Sequence, residues 1–182
     1  MMIARSALGI AGLSLVLGCS VPPPQITTQA SADLKDKDGK SVGMATFREV
    51  GDGVLVSVEV KGISPGLHAI HVHAVGRCEG PAFTSAGGHF NPAQKKHGLK
   101  SPEGPHAGDM PNMYVAKDGV GRFEVLNDNI TLKTGNRSVF DADGSALVIH
   151  AGVDDYVTDP TGNAGDRVAC GVIVANVKGE SL

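Results

Sequence analysis

The chain has 182 residues, of which 41% are hydrophobic, and this is enough for one well-buried domain rather than two. Its formal net charge of −3 does not favour a nucleic-acid partner, and we expect none. The 25 glycines and 10 prolines, together with 4% aromatic residues, favour short strands joined by turns over a helical bundle. We therefore expect an all-β fold.

The first 19 residues have the pattern of an export signal. Arg5 precedes an apolar run that is too short to span a membrane comfortably and that ends at Cys19. The ending "LVLGC" resembles the lipobox of bacterial lipoproteins, which implies that Cys19 is lipidated and anchors the protein to a membrane in the periplasm or cell envelope. Cleavage beyond Cys19 as an ordinary signal peptide is the alternative. Residues 20–31 predict a flexible tether, and the folded domain is expected to span 32–182.

A strand-and-turn pattern follows the tether. Residues 42–50 and 54–60 predict a hairpin around the turn "GDG", with Val54, Val56, Val58 and Val60 on one buried face. Further strands are predicted over residues 67–74, 113–116, 121–126, 146–150 and 168–177. Residues 84–109 and 152–166 predict two long loops, and loops of that length in a compact domain are usually functional.

The stretch "GLHAIHVH", residues 66–73, contains three of the seven histidines. On a strand, the side chains of His71 and His73 leave the same face about 7 Å apart, close enough to bind one metal ion. His68 has the opposite parity and is expected to be a packed, hydrogen-bonded histidine. An isolated pair of this kind is more often half-exposed without a ligand, so the assignment needs further histidines.

The predicted loop over residues 84–109 supplies them. It contains His89, His97, His106 and Asp109, which match the nitrogen and oxygen ligand set of a tetrahedral zinc site. The seventh histidine, His150, closes the apolar run "ALVIH". A histidine in that position is more often a core residue than a ligand, and the residues alone leave its role open.

Five motifs occur in the order "GLHAIHVH", "SAGGHFNP", "HAGD", "LVIHAGVDD" and "GNAGDRVACGVI". In this order they resemble copper/zinc superoxide dismutases of the bacterial periplasmic type, and the resemblance covers about residues 32–177. It implies a Greek-key β-sandwich, or flattened eight-stranded barrel, with two long functional loops. It also implies an enzyme that converts superoxide anion to dioxygen and hydrogen peroxide by cycling between Cu(II) and Cu(I).

The resemblance further implies the ligands of both metals. Copper would be bound by His71, His73, His89 and His150, and zinc by His89, His97, His106 and Asp109. His89 would therefore bridge the two metals and act as a proton carrier in the second half of the reaction, which consumes protons. Imidazole is a suitable ligand for both ions.

Other residues are assigned by the same resemblance. Asp154 would accept hydrogen bonds from one copper-ligand and one zinc-ligand imidazole, unless it is a solvated loop acid like its neighbour Asp155. Arg167 would guide the anion, unless it is a surface arginine paired with Asp166 or Asp159. The cysteines would form an intrachain disulfide between Cys78 and Cys170.

A non-catalytic copper-binding envelope lipoprotein on the same fold is the alternative function. A third class, an immunoglobulin-like adhesion sandwich, would not need seven histidines in this arrangement. The presence of Arg167, of the bridging His89 and of every expected ligand favours the enzyme. The sequence is compatible with a monomer and with a homodimer.

Overall fold

The computed structural model describes residues 29–176. Within them lie ten strands and one short 3-10 helix, so the expected all-β fold is confirmed. The strands are β1 (Gln29–Asp36), β2 (Ser41–Val50), β3 (Gly53–Lys61), β4 (Gly66–His68), β5 (Ile70–His73), β6 (Met113–Val115), β7 (Val120–Asn127), β8 (Ala146–His150), β9 (Arg167–Val172) and β10 (Val174–Ala175). The 3-10 helix covers Thr84–Ala86. No helix in this part of the chain is long and apolar enough to cross a membrane.

The strands form one antiparallel sheet in the order β4-β6-β7-β3-β2-β1-β9-β8-β5. Its two end strands, β4 and β5, are separated by Ala69 alone, so the chain itself joins the two ends of the sheet. The sheet is therefore a nearly closed barrel. Counting β4 and β5 as one interrupted strand gives the eight strands expected, and β10 adds a short pairing to β1.

The core follows the alternation read from the sequence. Val54, Val56, Val58 and Val60 of β3 are all buried, and β3 pairs with β2 on one side and β7 on the other. Each such side chain contributes about 1.5 to 3 kcal/mol when fully removed from water. The predicted hairpin of β2 and β3 is therefore part of the central packing of the barrel.

Strand β1 was not predicted from the sequence. It begins at Gln29, three residues before the expected domain boundary, and buries Ala30, Ala32 and Leu34. Two of these three buried residues are alanines, which have low strand propensity and give a weak periodic signal. The predicted signal, most of the tether and Cys19 lie outside the described residues.

Strand β5 presents different chemistry on its two faces. Ile70 and Val72 belong to the hydrophobic core, whereas His71 and His73 have the opposite parity. The long loop over 84–109 attaches along the free edge of β5, where Phe90 donates its backbone N–H to Val72 and Val72 donates its own to Gly108. A Cβ at Gly108 would overlap the Val72 carbonyl oxygen, so this close approach requires glycine.

Candidate metal centre

Six histidines and one aspartate meet on the loop-covered side of β5 and β8. They form two overlapping groups, and within each group one donor atom per residue lies within 4.8 Å of the others. The first group is His71, His73, His89 and His150, and the second is His89, His97, His106 and Asp109. All seven residues are buried. The structure thus brings together the residues that the sequence analysis assigned to two metals.

In the first group, two ring nitrogens face each other. His73 Nδ1 donates a hydrogen bond to the Gly87 carbonyl (3.0 Å), and His150 Nδ1 donates one to the Gly165 carbonyl (3.2 Å). These bonds turn the two Nε2 atoms to a separation of 3.4 Å. With their protons on Nδ1, both Nε2 atoms carry lone pairs, which repel each other unless a cation lies between them.

The two other rings of the first group each present an orphaned nitrogen. His71 Nδ1 and His89 Nε2 are buried and have no hydrogen-bond partner among residues 29–176. Burying such an atom without a partner costs about 1 to 3 kcal/mol, so an interaction with a ligand is expected to compensate. Four imidazole nitrogens are a donor set that suits Cu(II). The first group therefore fits copper.

The second group is centred on one carboxylate oxygen. Asp109 Oδ1 lies 2.8 Å from His89 Nδ1, 3.1 Å from His97 Nδ1 and 3.4 Å from His106 Nδ1. Asp109 Oδ2 accepts the backbone N–H groups of Gly98 and His106, both at 2.9 Å, which fixes the carboxylate. Three imidazoles and one carboxylate oxygen fit a tetrahedral zinc ion.

His89 belongs to both groups through different atoms. Its Nδ1 faces Asp109, whereas its Nε2 is the orphaned nitrogen of the first group. The His89 ring lies 4.0 Å from the His71 ring, measured between centroids. Since each ring nitrogen of a deprotonated imidazole has a lone pair, His89 can serve two ions at once.

Asp154 connects the two groups from the second long loop. Its Oδ2 accepts a hydrogen bond from His71 Nε2 (2.8 Å), and its Oδ1 accepts one from His97 Nε2 (2.9 Å). The neighbouring Asp155 is exposed and binds Thr158 within its own loop. Asp154 thus holds a proton of each ring on Nε2 and turns both Nδ1 atoms toward the donor groups.

Gly162 is a contributor that sequence reasoning missed. Its φ of +64° is in the left-handed region, and a Cβ there would overlap the Asp154 carboxylate and approach His97 Nε2 to 2.6 Å. Several glycines occur in this loop, and nothing in the sequence distinguishes this one. Its role depends on how the loop packs against the histidines.

Arg167 lies opposite His150 in the register of β8 and β9. Its guanidinium donates hydrogen bonds to the carbonyls of Phe83 and Gly87, both at 2.6 Å. The same Gly87 carbonyl accepts the bond from His73. Among the described residues Arg167 has no ion pair with Asp166 or Asp159, and Asp159 instead contacts Lys96 Nζ at 3.3 Å.

The disulfide holds the segment that carries these carbonyls. Cys78 and Cys170 are bonded, with their Cα atoms 5.6 Å apart, so the segment after β5 is tied to β9. The disulfide packs with Phe83, Ala86 and Val148 in a small second core. The bond therefore fixes the surroundings of Arg167.

His68 occupies the position that its parity predicts. It is buried, with Nδ1 2.7 Å from the His150 carbonyl oxygen and Nε2 2.8 Å from the Ser64 carbonyl oxygen. It belongs to neither donor group. Its contact with the His150 backbone helps to fix the end of β8.

Burial keeps three of the histidines neutral. Burial, together with neighbouring histidines and the nearby Arg167 charge, lowers the pKa of His73 to about 2 and that of His150 to about 3. Burial likewise lowers the pKa of His89 to about 4, against the opposing effect of Asp109. These rings therefore carry lone pairs at neutral pH, as metal binding requires.

The carboxylates have the opposite effect on His97. Burial alone would lower the pKa of His97, but hydrogen bonds to Asp109 and Asp154 outweigh it and raise the pKa to about 9. Burial would raise the pKa values of both aspartates, yet hydrogen bonds from the histidines hold them below their usual range. Both carboxylates therefore stay ionised, and zinc must displace a proton from His97.

Comparison with known proteins agrees with this geometry. The family model for copper/zinc superoxide dismutase (SODC) matches residues 41–173. Cu-Zn superoxide dismutase 2 from Aquifex aeolicus is 52% identical over 147 residues, which cover 80% of this chain and 86% of the relative. The Cu-Zn superoxide dismutase from Caulobacter vibrioides is 46% identical over 147 residues, which cover 79% and 84%.

A solved structure shows the same architecture. The crystal structure of a superoxide dismutase-like protein from Bacillus subtilis aligns with a TM-score of 0.77 at 38% identity, covering 79% of this chain and 97% of that one. With a family match over most of the chain and relatives near 50% identity, the chain belongs to the copper/zinc superoxide dismutase family.

Proposed function

We propose that this chain converts superoxide to dioxygen and hydrogen peroxide at a copper–zinc centre bridged by His89. The observation that carries the proposal is the division of His89 between two buried donor groups, with Nδ1 toward one and Nε2 toward the other. Copper would be held by His71, His73, His89 and His150, and zinc by His89, His97, His106 and Asp109.

Bound copper supplies the one-electron couple between Cu(II) and Cu(I), and bound zinc supplies a fixed positive charge. The chain supplies the proton path. His89 Nε2 would take up one of the two protons that hydrogen peroxide needs and pass it to the reduced substrate, with the second proton coming from solvent, while Nδ1 stays against the Asp109 group and keeps the ring in place. Because two backbone N–H groups hold the Asp109 carboxylate, the contact of Asp109 with His89 Nδ1 fixes the orientation of the His89 ring.

Arg167 is proposed to bind the anion. Two of its N–H groups are used by the Phe83 and Gly87 carbonyls, and a guanidinium has five, so three remain for a ligand. Arg167 and His73 Nδ1 share the Gly87 carbonyl, and Arg167 lies opposite His150 in the sheet, so the guanidinium lies beside the first donor group. A cation in this position attracts superoxide and stabilises the charge that develops on it.

A copper store on the same fold is not favoured. Storage needs the four copper nitrogens, but it gains nothing from a cation fixed beside them or from a histidine shared with a second metal. This chain has an arginine beside the first donor group and a histidine that belongs to both donor groups, which supports the enzyme.

Metal analysis tests the proposed centre. We expect one copper and one zinc per chain, and we expect His97→Ala and Asp109→Ala to lose zinc while part of the copper stays. Asp155→Asn is the matched control, because this carboxylate lies beside Asp154 but binds its own loop. Unchanged zinc content in both His97→Ala and Asp109→Ala would contradict the zinc assignment.

We also propose that the protein works in the periplasm or cell envelope, anchored through lipid on Cys19. The export pattern of residues 1–19 supports this, and so does the Cys78–Cys170 disulfide, because disulfides persist in oxidising compartments. Mass analysis of the membrane fraction is expected to find acyl chains on Cys19. A mature N-terminus beyond Cys19 would contradict the anchor and leave the enzyme proposal untouched.

A homodimer stays a separate hypothesis. Sedimentation at several protein concentrations measures the oligomeric state and tests it.

A further inference from the structure

We propose that Asp159 is a positioning residue for His106, and that its carboxylate orients the His106 ring in the zinc donor group. The inference rests on the proposed function, because it assigns a role toward zinc. It concerns a residue outside both donor groups and outside the Asp154 link between them.

The ring nitrogens that face away from the metal donors follow a common pattern. In metal sites, a ligating histidine almost always donates its second ring N–H to a carboxylate, a carbonyl or water. Apart from the shared His89, five histidines each belong to one of the two donor groups. In four of these five, the ring nitrogen that faces away from the donor group has such a partner. The pairs are His71 and His97 with Asp154, His73 with the Gly87 carbonyl, and His150 with the Gly165 carbonyl.

His106 is the fifth. Its Nδ1 faces Asp109, and its Nε2 lies 3.8 Å from Asp159 Oδ1. This separation is longer than a hydrogen bond, and the proposed role requires the two atoms to approach to bonding distance when zinc is bound. The His106 side chain is 7% exposed, so the acceptors available to its Nε2 are the Asp159 carboxylate and water. Asp159 therefore completes the pattern set by the other rings.

Asp159 is already held in place by the other long loop. Its Oδ1 accepts the backbone N–H of His97 at 2.8 Å, and its Oδ2 lies 3.3 Å from Lys96 Nζ. A carboxylate oxygen has two lone-pair sites, so Oδ1 can accept a second bond from His106. Asp159 thus joins the two long loops on the zinc side, just as Asp154 joins them between the two groups.

Zinc binding to the metal-free protein tests the inference, with zinc alone as the probe and a chromophoric chelator as the competitor. We expect Asp159→Ala to raise the zinc dissociation constant about 10- to 100-fold, the usual effect of removing an outer partner of a ligating histidine. Asp159→Asn should lose less, since its amide oxygen still accepts bonds but carries no charge.

The control is Asp155→Asn, which removes a carboxylate that orders the same loop through Thr158 and Asn163. We expect it to leave the zinc dissociation constant within about twofold. An equal loss of zinc affinity in Asp155→Asn and Asp159→Asn would mean that loop order alone is responsible, and it would overturn the inference.

The second readout is the ring proton itself. In the zinc-loaded protein with ¹⁵N-labelled histidine, we expect a slowly exchanging Nε2–H signal from His106 that exchanges faster in Asp159→Asn and vanishes in Asp159→Ala. The Nε2–H signal of His97, held by Asp154, should persist in the Asn variant. An unaltered His106 signal in both variants would overturn the positioning role.

The zinc content of the parent protein separates a wrong metal centre from a wrong role for Asp159. If the parent protein binds no zinc, the proposed metal centre is wrong. If the parent binds one zinc and the Asp159 variants bind it equally well, the centre stands and only the role of Asp159 is refuted.

Discussion

Arg167 is held by backbone carbonyls rather than by a carboxylate. Its two hydrogen bonds go to Phe83 and Gly87, and no acidic side chain within residues 29–176 forms an ion pair with it. Carbonyl oxygens orient a guanidinium without cancelling its charge. The positive charge beside His73 and His150 is therefore left to act on an incoming anion.

This arrangement predicts a selective loss in Arg167→Ala. Both metals should stay bound, and the rate constant for superoxide should fall about 10- to 100-fold, equivalent to about 1.4 to 2.7 kcal/mol of transition-state stabilisation. Arg167→Lys should lose less, and Arg167→Glu should lose more, because it repels the substrate. Stopped-flow decay of superoxide at matched copper content measures the effect. Full activity in Arg167→Ala would show that the arginine is an ordinary surface residue.

The sequence predicts individual site residues where strand parity applies. The two-residue spacing of His71 and His73 gives their common face, and the opposite parity of His68 gives its separate role. No such rule relates Gly162 or Asp159 to the histidines, because their positions depend on how two irregular loops pack together. Composition and spacing cannot supply that information.

At the scale of elements, the disulfide links β9 to the segment that precedes the histidine loop. It closes a loop of 92 residues and lies in the same small core as Phe83. The chain-entropy model gives about 4 to 5 kcal/mol of stabilisation for a loop of this size. The same bond fixes the Phe83 and Gly87 carbonyls that orient Arg167.

Replacing both cysteines should therefore have two effects. The variant Cys78→Ser with Cys170→Ser is expected to lose about 4 to 5 kcal/mol of unfolding free energy and to lose activity per bound copper, because Arg167 is less well held. Denaturant unfolding and superoxide decay at matched copper content measure the two effects. Normal stability together with normal activity in the double variant would contradict this account of the disulfide.

The elements themselves were predicted to different degrees. Strand β3, with four valines at period two, gives a strong signal, whereas β1 buries Ala30 and Ala32 and gives almost none. The lengths of the two loops identified them as functional, but their burial of the histidines could not be predicted. That burial arises because the loops cover a face of β5 that strand alternation alone would leave exposed.

For the whole molecule, the buried histidines couple folding to pH. His73, His89 and His150 have folded-state pKa values of about 2, 4 and 3, against 6.5 when exposed. Below pH 6.5 the unfolded chain binds protons that the folded metal-free protein excludes, so stability falls as pH decreases toward these values. His97 has the opposite sign, because its pKa is raised to about 9 and its contribution is lost as pH rises through that value.

The metal-free protein should accordingly be most stable near pH 6.5. We expect its thermal unfolding midpoint to fall steadily from pH 6.5 to pH 4.5, with each of the three histidines contributing at most about 1.4 kcal/mol per pH unit. The metal-loaded protein is the control, and its midpoint should stay constant to lower pH because protons must first displace the metals. A midpoint of the metal-free protein that is constant or rises over this range would contradict the burial of neutral histidines.

The central claim is that the centre bridged by His89 is catalytic, and the most direct test is the decay rate of superoxide per bound copper. Superoxide dismutases as a class approach the diffusional ceiling of about 10⁸–10⁹ M⁻¹ s⁻¹. The copper- and zinc-loaded protein is predicted to reach this range, with a rate proportional to its copper content, and the metal-free protein is predicted to be inactive. A fully loaded protein that removes superoxide no faster than its metal-free form would contradict the claim.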